Sequence, residues 1–354
     1  MSEFFDNGKL SRLVAYTPGE QPADMDRLIK LNTNESPFEP SPAVLKAVDC
    51  DAVRRLRLYS DPECGKLIEA LSRCYGLPEN MIFVGNGSDE VLAFCFHGLC
   101  ANGAAFADIT YGFYPVFCNM FSTAAKIVPL REDFSISVSD YEGLPQTVFI
   151  ANPNAPTGIA LPLCDIERLL SQNPERLVVV DEAYVDFGAQ SALALLKRYR
   201  NLLVVRTFSK SRNLAGGRIG YAFGDAQLIA DLNKLRYSFN PYNVNSLSQL
   251  AATAALDDTE YFEYCRREII DSRRQLTEGL RGMGFAVTDS SANFVFAACP
   301  CLSGTELYHK LREKGILVRH FAVDRIDNYV RITVGMRQQT VKLLQAVAEI
   351  LKEL

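Results

Sequence analysis

Short apolar segments alternate with stretches of helical periodicity between about residues 80 and 224. The apolar segments are Ile82–Val84, Ala104–Ala107, Val148–Ala151, Val178–Val180 and Leu203–Val205. Segments this apolar, with helices between them, predict buried strands of a mostly parallel central sheet covered by helices. Glycine or polar residues follow most of these segments. Because ligands of such sheets bind outside the carboxyl ends of the strands, the sequence predicts a site at that edge.

The pattern changes after about residue 283. A long helical stretch, Glu260–Arg281, is closed by two glycines, and short predicted strands follow it. These strands lie at residues 293–296, 317–319 and 330–333, and predicted helices at Thr305–Lys314 and Gln338–Leu354 accompany them. This mixture predicts a second, smaller α+β domain.

Composition excludes several classes of partner. The chain has 354 residues, 48% of them hydrophobic, and a formal net charge of -5. No run of lysine and arginine indicates binding to nucleic acid or to an anionic membrane, and no apolar stretch reaches the ~20 residues of a membrane span. Its ten cysteines are scattered and the start of the chain lacks a secretory signal, so we expect reduced thiols in the cytoplasm and no metal site.

Three candidate catalytic residues follow predicted strands. Lys210 follows the strand that ends at Val205, Asp181 follows Val178–Val180, and Tyr184 comes three residues after Asp181. An amine, a carboxylate and a phenol at such positions suit pyridoxal phosphate: they would bind its aldehyde, its ring nitrogen and its ring oxygen. A solvated lysine and a carboxylate that caps a turn are the structural alternatives. The metal-binding acid of a P-loop ATPase is disfavoured, because the chain lacks that family's phosphate-loop motif.

A phosphate cup is predicted from two separate segments. The turn at residues 85–90 joins a strand to a helix, and free backbone N–H groups at such a helix start bind anions. The candidate residues of the cup are Gly87, Ser88, Asp89, Thr207, Ser209 and Arg218. Tyr111, which follows another predicted strand, could stack on the cofactor ring or belong to the core.

Arg331 lies between apolar neighbours in a predicted strand, and Arg319 repeats this pattern. A guanidinium in such a setting needs an anionic partner. That partner is either a carboxylate of the protein or the carboxylate or phosphate of a substrate, which the planar guanidinium binds with two hydrogen bonds.

Motifs along nearly the whole chain carry a family resemblance. They are Tyr16–Gly19, Leu31–Pro37, Gly85–Glu90, Tyr111, Asn152–Gly158, Asp181–Tyr184, Thr207–Arg218 and Arg331–Gly335. With these motifs the chain resembles the fold-type I pyridoxal-phosphate-dependent aminotransferases, and within them the histidinol-phosphate aminotransferase family. The resemblance implies an α/β fold with a large cofactor-binding domain at residues 37–274. Residues 1–36 and 275–354 would form the small domain.

The resemblance also implies roles for single residues. Lys210 would form the Schiff base, Asp181 would bind the pyridinium nitrogen, Tyr184 the ring oxygen, and Tyr111 would stack on the ring. Ser209, Arg218 and the backbone of Ser88 and Asp89 would hold the phosphate. Tyr59 would reach the phosphate in the partner subunit of a homodimer. The residues implied for the substrate pocket are Tyr16, Asn34, Arg319 and Arg331.

This chain departs from the family pattern at three places. Ala155 stands where the family has an asparagine that binds the ring oxygen, and Asn154 is the candidate to replace it. Ser60 replaces a proline, and Ser211–Asn213 replaces a more apolar stretch after the lysine. None of these removes a residue that imine chemistry needs.

The reaction implied is transfer of an amino group between an amino phosphate ester and 2-oxoglutarate. A phosphothreonine decarboxylase, an aromatic amino-acid aminotransferase and a non-catalytic binding module of the same fold remain as alternatives.

Overall fold

The computed structural model describes residue 8, residues 13–22 and residues 28–354. Its strands are β1 Ile29–Lys30, β2 Ile82–Gly85, β3 Ala104–Ala107, β4 Ala125–Val128, β5 Thr147–Ala151, β6 Val178–Asp181, β7 Leu202–Thr207, β8 Gly220–Gly224, β9 Ala286–Val287, β10 Phe294–Ala298, β11 Ile316–Leu317, β12 Arg319–His320 and β13 Tyr329–Thr333. Its helices are α1 Pro42–Ala47, α2 Cys50–Arg54, α3 Gly65–Tyr75, α4 Gly87–Gly98, α5 Phe113–Phe121, α6 Leu163–Gln172, α7 Ala226–Phe239, α8 Ser246–Asp257, α9 Thr259–Gly282, α10 Gly304–Glu313 and α11 Arg337–Lys352.

A seven-stranded sheet organises the larger part of the chain, with strand order β2-β8-β7-β6-β5-β3-β4. Only β8 runs antiparallel to its neighbours β2 and β7. The prediction of a mostly parallel central sheet is therefore confirmed. Sequence inspection missed two of its strands, β4 and β8.

Alternate residues of the central strands enter two different cores. Val178, Val180 and Val204 contribute to one apolar cluster, whereas Val179 and Val205 contribute to the cluster on the other face. Successive side chains of a strand point to opposite faces, so a strand in this position must be apolar throughout. This explains the uninterrupted valines that the sequence carries before Asp181.

A second, smaller sheet has the strand order β12-β13-β10-β9. Its core also receives Leu31 from the segment after β1, and β1 pairs in parallel with β11. Helix α10 begins at a capping box in which Ser303 and Glu306 bind each other's backbone N–H groups. The small α+β unit is thus confirmed, and the segment at residues 29–31 packs with it.

Helix α9 contributes side chains to two apolar clusters, a small one around Phe187 and the core of the small sheet. Ile269 packs near Phe187, while Leu276 and Leu280 belong to the core of the small sheet. The predicted boundary at residue 274 falls within this helix and stays a prediction. The N-terminal part assigned to the small domain includes residues 1–7, 9–12 and 23–27, which lie outside the described residues. No helix in the described ranges is long and apolar enough to cross a membrane.

Candidate active site

Two adjoining cavities open at the carboxyl ends of the central strands. The inner cavity has a volume of about 350 Å³, and residues that line it include Ser88, Asp181, Thr207, Ser209, Lys210 and Arg218. The outer cavity, of about 470 Å³, extends toward the small sheet, and Tyr16, Asn34, Arg319 and Arg331 are among its lining residues. Tyr111, Tyr184 and Lys210 line both. Most of the predicted site residues are thereby brought together.

Lys210 lies between the cavities, three residues after β7 ends at Thr207. Its Nζ donates a hydrogen bond to the backbone carbonyl of Thr33 at 3.4 Å and lies 5.7 Å from the centre of the Tyr184 ring. This long hydrogen bond is the one that the described residues make with the Lys210 amine, and it leaves the amine able to react with a ligand in either cavity.

Asp181 is the last residue of β6 and is buried. Its Oδ2 accepts a hydrogen bond from the Tyr114 hydroxyl at 3.1 Å, and its Oδ1 accepts one from the backbone N–H of Ala183 at 3.2 Å. Burial raises the pKa of this carboxyl to about 7 despite these two hydrogen bonds. No cation pairs with Asp181 within the described residues. A protonated pyridine nitrogen would supply the missing positive charge.

The phosphate cup forms where α4 meets β8. Gly87 has a φ of +79°, which favours glycine, and α4 begins there with its first N–H groups free. A Cβ on Gly220 would lie 2.2 Å from the backbone nitrogen of Ser88, so only glycine lets β8 approach this helix start. Thr207 Oγ1 donates to Ser209 Oγ at 2.9 Å on the opposite side of the cup.

Asp89 links the phosphate cup to Tyr111, the residue predicted to stack on the cofactor ring. Its Oδ2 lies 3.0 Å from Arg218 Nη2, and its Oδ1 accepts a hydrogen bond from the Tyr111 hydroxyl at 2.6 Å. Burial and the charge of Asp89 raise the pKa of Tyr111 well above its ordinary value, so the phenol stays a donor. One carboxylate thus holds both the guanidinium and the aromatic ring beside the inner cavity.

Arg331 lines the outer cavity. Its Nη2 donates to the carbonyl of Asn32 at 3.0 Å, while its buried Nε has no hydrogen-bond partner among the described residues. Its guanidinium lies 5.4 Å from the ring centre of Phe294 and 5.5 Å from that of Phe321. Burial lowers its pKa. The salt bridge considered as the structural alternative for Arg331 is absent from the described residues, which leaves a desolvated donor available to an anionic ligand.

The other three predicted substrate residues surround Arg331. Arg319 donates to the backbone carbonyls of Thr17 and Pro18 at 3.0 and 3.3 Å. Tyr16 stacks on Phe113 with 4.4 Å between ring centres. Asn34 adopts a φ of +57°, and its Nδ2 donates to the Tyr184 hydroxyl at 3.0 Å. The outer cavity is therefore basic at its far end and aromatic along its wall.

Three predicted cofactor residues do not line the inner cavity: Gly87, which precedes the lining residue Ser88 at the start of α4, and Asn154 and Tyr59, which lie elsewhere. The Asn154 amide donates to the Ile109 carbonyl and to Thr157 Oγ1 and accepts from Thr110 Oγ1. These bonds engage the amide with its own loop and with the segment that follows β3. Ala155 lines the cavity in its place, which corrects the contact expected of Asn154. Tyr59 is 84% exposed and stacks on Tyr242, away from both cavities of its own chain.

Sequence inspection also missed residues that line or support the site. Glu35 and Thr33 line the inner cavity, and the buried Tyr114 donates a hydrogen bond to Asp181. Glu35 lies in the Leu31–Pro37 motif, so a signal existed for it. No sequence signal indicated Tyr114, since a tyrosine at the start of a helix is an ordinary core residue.

Residues 26–347 match the family described as aminotransferases of class I and II. The chain belongs to this family. A full-length relative from Marinomonas sp. (strain MWYL1), named histidinol-phosphate aminotransferase, is 50% identical over 98% of this chain and 99% of its own length. A relative of the same name from Acetobacter pasteurianus is 49% identical and covers 99% of each chain.

Solved structures agree with the aminotransferase fold. A histidinol-phosphate aminotransferase from Sinorhizobium meliloti, solved in complex with pyridoxal-5'-phosphate, superposes with a TM-score of 0.88 at 25% identity. That match covers all of this chain and 98% of the other. The fold-type I aminotransferase architecture predicted from the sequence is thus confirmed.

Proposed function

We propose that this aminotransferase acts on L-histidinol phosphate, with pyridoxal phosphate as cofactor and 2-oxoglutarate as amino acceptor, in histidine biosynthesis. Full-length similarity to several relatives of that name supports the substrate. The observation that carries the proposal is Arg331, which shares the outer cavity with Lys210, has a buried and unbonded Nε, and has no acidic partner among the described residues. An amino phosphate ester carries both the amine that would react at Lys210 and the anion that Arg331 would bind.

The polar groups of the inner cavity fit pyridoxal phosphate at each end. Asp181 offers the ring nitrogen a carboxylate that pairs with no cation in the described part of the chain. The phosphate cup offers backbone N–H groups, hydroxyls and Arg218 to the phosphate. Tyr184 presents a hydroxyl to the ring oxygen. Bound there, the cofactor supplies an aldehyde that accepts the amino group and a ring that withdraws electrons from the substrate.

Lys210 has two tasks in this proposal. Its Nζ binds the cofactor between turnovers, and once released it takes the proton from the substrate carbon that bears the amine and delivers it again. The Tyr184 hydroxyl binds the ring oxygen of the cofactor, and this hydroxyl in turn accepts a hydrogen bond from Asn34 Nδ2. Asp181 stabilises positive charge at the opposite side of the ring, where its burial strengthens the interaction.

Arg331 and Arg319 select the substrate. L-Histidinol phosphate has no carboxylate, so its phosphate is the anion that these guanidiniums bind. In the second half-reaction the distal carboxylate of 2-oxoglutarate takes the same position. A pocket that serves both must rely on charge more than on shape.

The proposal includes a cytoplasmic homodimer with the large domain at residues 37–274 and the small domain formed by the rest. Exposed apolar side chains near Tyr59 support a second subunit: Leu58 is 56% exposed and Phe239 is 77% exposed. Apolar surface of this kind is typical of an interface. In such a dimer Tyr59 would reach the phosphate of the partner's cofactor.

Product analysis with three amine donors tests this function. The purified protein, supplied with pyridoxal phosphate and 2-oxoglutarate, is given L-histidinol phosphate, L-phosphothreonine or L-phenylalanine. We expect glutamate to form fastest, as judged by kcat/KM, with L-histidinol phosphate. Release of CO2 from phosphothreonine would identify a decarboxylase. Preference for phenylalanine would identify an aromatic aminotransferase. If none of the donors gave a product, the protein would be a non-catalytic binding module.

A further inference from the structure

A network of charged and polar side chains, buried at Glu182, Arg206 and Ser211, lies behind the inner cavity on the other face of the strand ends. Its members, here called the back network, are Glu182, Asp186, Ser191, Arg206 and Ser211. Asp181 and Thr207 line the inner cavity, but their chain neighbours Glu182 and Arg206 do not. Successive residues of a strand point to opposite faces, which explains the division.

Glu182 and Arg206 form the centre of the back network. Their side chains are 0% and 6% exposed, and Arg206 donates to Glu182 Oε2 from Nε at 2.9 Å and from Nη2 at 2.8 Å. Glu182 also accepts from the Ser191 hydroxyl at 2.7 Å and from the backbone N–H of Ala192 at 2.6 Å. A buried ion pair needs such additional hydrogen bonds to offset its desolvation.

Asp186 connects this pair to the residue after Lys210. One of its oxygens lies 3.4 Å from Arg206 Nη1, and the other accepts a hydrogen bond from Ser211 Oγ at 2.5 Å. Ser211 is buried. The back network therefore contains the immediate chain neighbour of three proposed site residues: Glu182 beside Asp181, Arg206 beside Thr207, and Ser211 beside Lys210.

The hydroxyl of Ser211 links the lysine loop to Asp186. An apolar residue at position 211 could not donate this hydrogen bond.

We propose that Ser211 and Asp186 are positioning residues for Lys210. The Ser211 hydroxyl fixes the backbone of the lysine loop to a carboxylate that Arg206 holds against β7. In the part of the chain that the structure describes, the Lys210 amine has one hydrogen bond, a long one to the Thr33 carbonyl, so the backbone of the loop sets the position of the amine. The inference rests on the proposed function, in which the Lys210 amine adds to the cofactor's aldehyde, a C=N bond forms and water leaves.

The test separates linkage to Lys210 from occupancy of the inner cavity. Apoprotein is titrated with pyridoxal phosphate, which links to the lysine, and with pyridoxamine 5'-phosphate, which fills the same cavity but has no aldehyde. The ratio of the two dissociation constants isolates the covalent contribution. We expect Ser211→Ala to weaken pyridoxal phosphate binding by roughly tenfold, the effect of one hydrogen bond to a charged group, and to leave pyridoxamine 5'-phosphate binding within about twofold.

Conservative and control variants complete the design. Ser211→Thr keeps the hydroxyl and should restore the wild-type ratio. Ser191→Ala removes a hydroxyl from the same network at a residue that adjoins no site residue, and should lower thermal stability without changing the ratio. Asp186→Ala and the double variant should change the ratio as Ser211→Ala does, because all three remove the Ser211–Asp186 bond. Asp186→Ala also removes the contact with Arg206, so it should lower thermal stability further.

If Ser211→Ala weakened the binding of both ligands equally, the ratio of dissociation constants would stay unchanged, which would show a structural role and overturn the inference. Wild-type binding of both ligands would overturn it as well. These outcomes differ from failure of the proposed function, in which the wild-type protein itself would form no link with pyridoxal phosphate.

Discussion

Asn34 Nδ2 donates a hydrogen bond to the Tyr184 hydroxyl at 3.0 Å, across 150 residues of sequence. The backbone N–H of Asn34 binds Thr333 Oγ1 at the end of β13, whereas Tyr184 follows β6 of the large sheet. The bond therefore fastens the small sheet to the wall of the inner cavity. The substrate cavity lies at this junction, so the two halves of the fold share the site.

Asp181→Asn should change how stability depends on pH. The pKa of Asp181 rises from 3.8 to about 7 through burial, so between these values the folded apoprotein binds a proton that the unfolded chain has lost. Its contribution to the free energy of unfolding falls as the pH rises through this range. We expect denaturant titrations of the Asn variant to lack this decline. Turnover should drop by orders of magnitude, because an amide cannot stabilise a protonated ring nitrogen.

Asp225→Asn is the matched control for that experiment. Its hydrogen bond with Arg200 lowers the pKa of Asp225, so its contribution is lost as the pH falls, which is the opposite sign. A pH profile for Asp181→Asn identical to that of the wild type would show that the carboxyl titrates normally.

Gly220→Ala should weaken cofactor binding. The added Cβ would lie 2.2 Å from the Ser88 nitrogen and would push the start of α4 out of the phosphate cup. Loss of one charge-assisted hydrogen bond costs about 1.5–3 kcal/mol, so the dissociation constant of pyridoxal phosphate should rise at least roughly tenfold. Fluorescence titration measures it. Gly282→Ala, where no atom lies within 4 Å of the new Cβ, is the control and should bind normally. Wild-type affinity in Gly220→Ala would contradict the proposed phosphate position.

Much of the fold followed from the sequence, because buried parallel strands must be apolar on both faces. The apolar segments also predicted that Lys210 and Asp181 lie at strand ends. They did not indicate β8, whose glycines obscure a strand pattern. The partners of the Asn154 amide could not be predicted, because Thr110 and Ile109 lie 44 and 45 residues away in the sequence. Whether Arg331 had an acidic partner depended in the same way on tertiary contacts.

Arg331→Ala should reduce kcat/KM by at least roughly tenfold for both L-histidinol phosphate and 2-oxoglutarate, since each loses a charge-assisted hydrogen bond. The absorbance of the bound cofactor should stay unchanged, because Arg331 lines only the outer cavity. Steady-state kinetics with both substrates provide the measurement. Arg281→Ala, which breaks an exposed pair with Asp289, is the control. If kinetics stayed normal while the cofactor spectrum changed, Arg331 would serve the cofactor instead.

Tyr59→Phe should impair the partner's site and not its own. Homodimers of Tyr59→Phe and of Lys210→Ala are purified separately and then exchanged. In the heterodimer one site receives both substitutions and the other is normal at both positions. We expect activity above the average of the two parents. Activity equal to that average, after verified exchange, would assign Tyr59 to its own subunit.

The central claim is that Lys210 is the residue that binds pyridoxal phosphate. The most direct measurement is reduction of the loaded protein with borohydride, followed by peptide mass spectrometry. We predict one modified lysine per chain, at position 210, and no modification in Lys210→Ala. Lys30, which pairs with Glu35 beside the inner cavity, provides an internal comparison. A label on Lys30 or another lysine, or no label in the wild-type protein, would contradict the account.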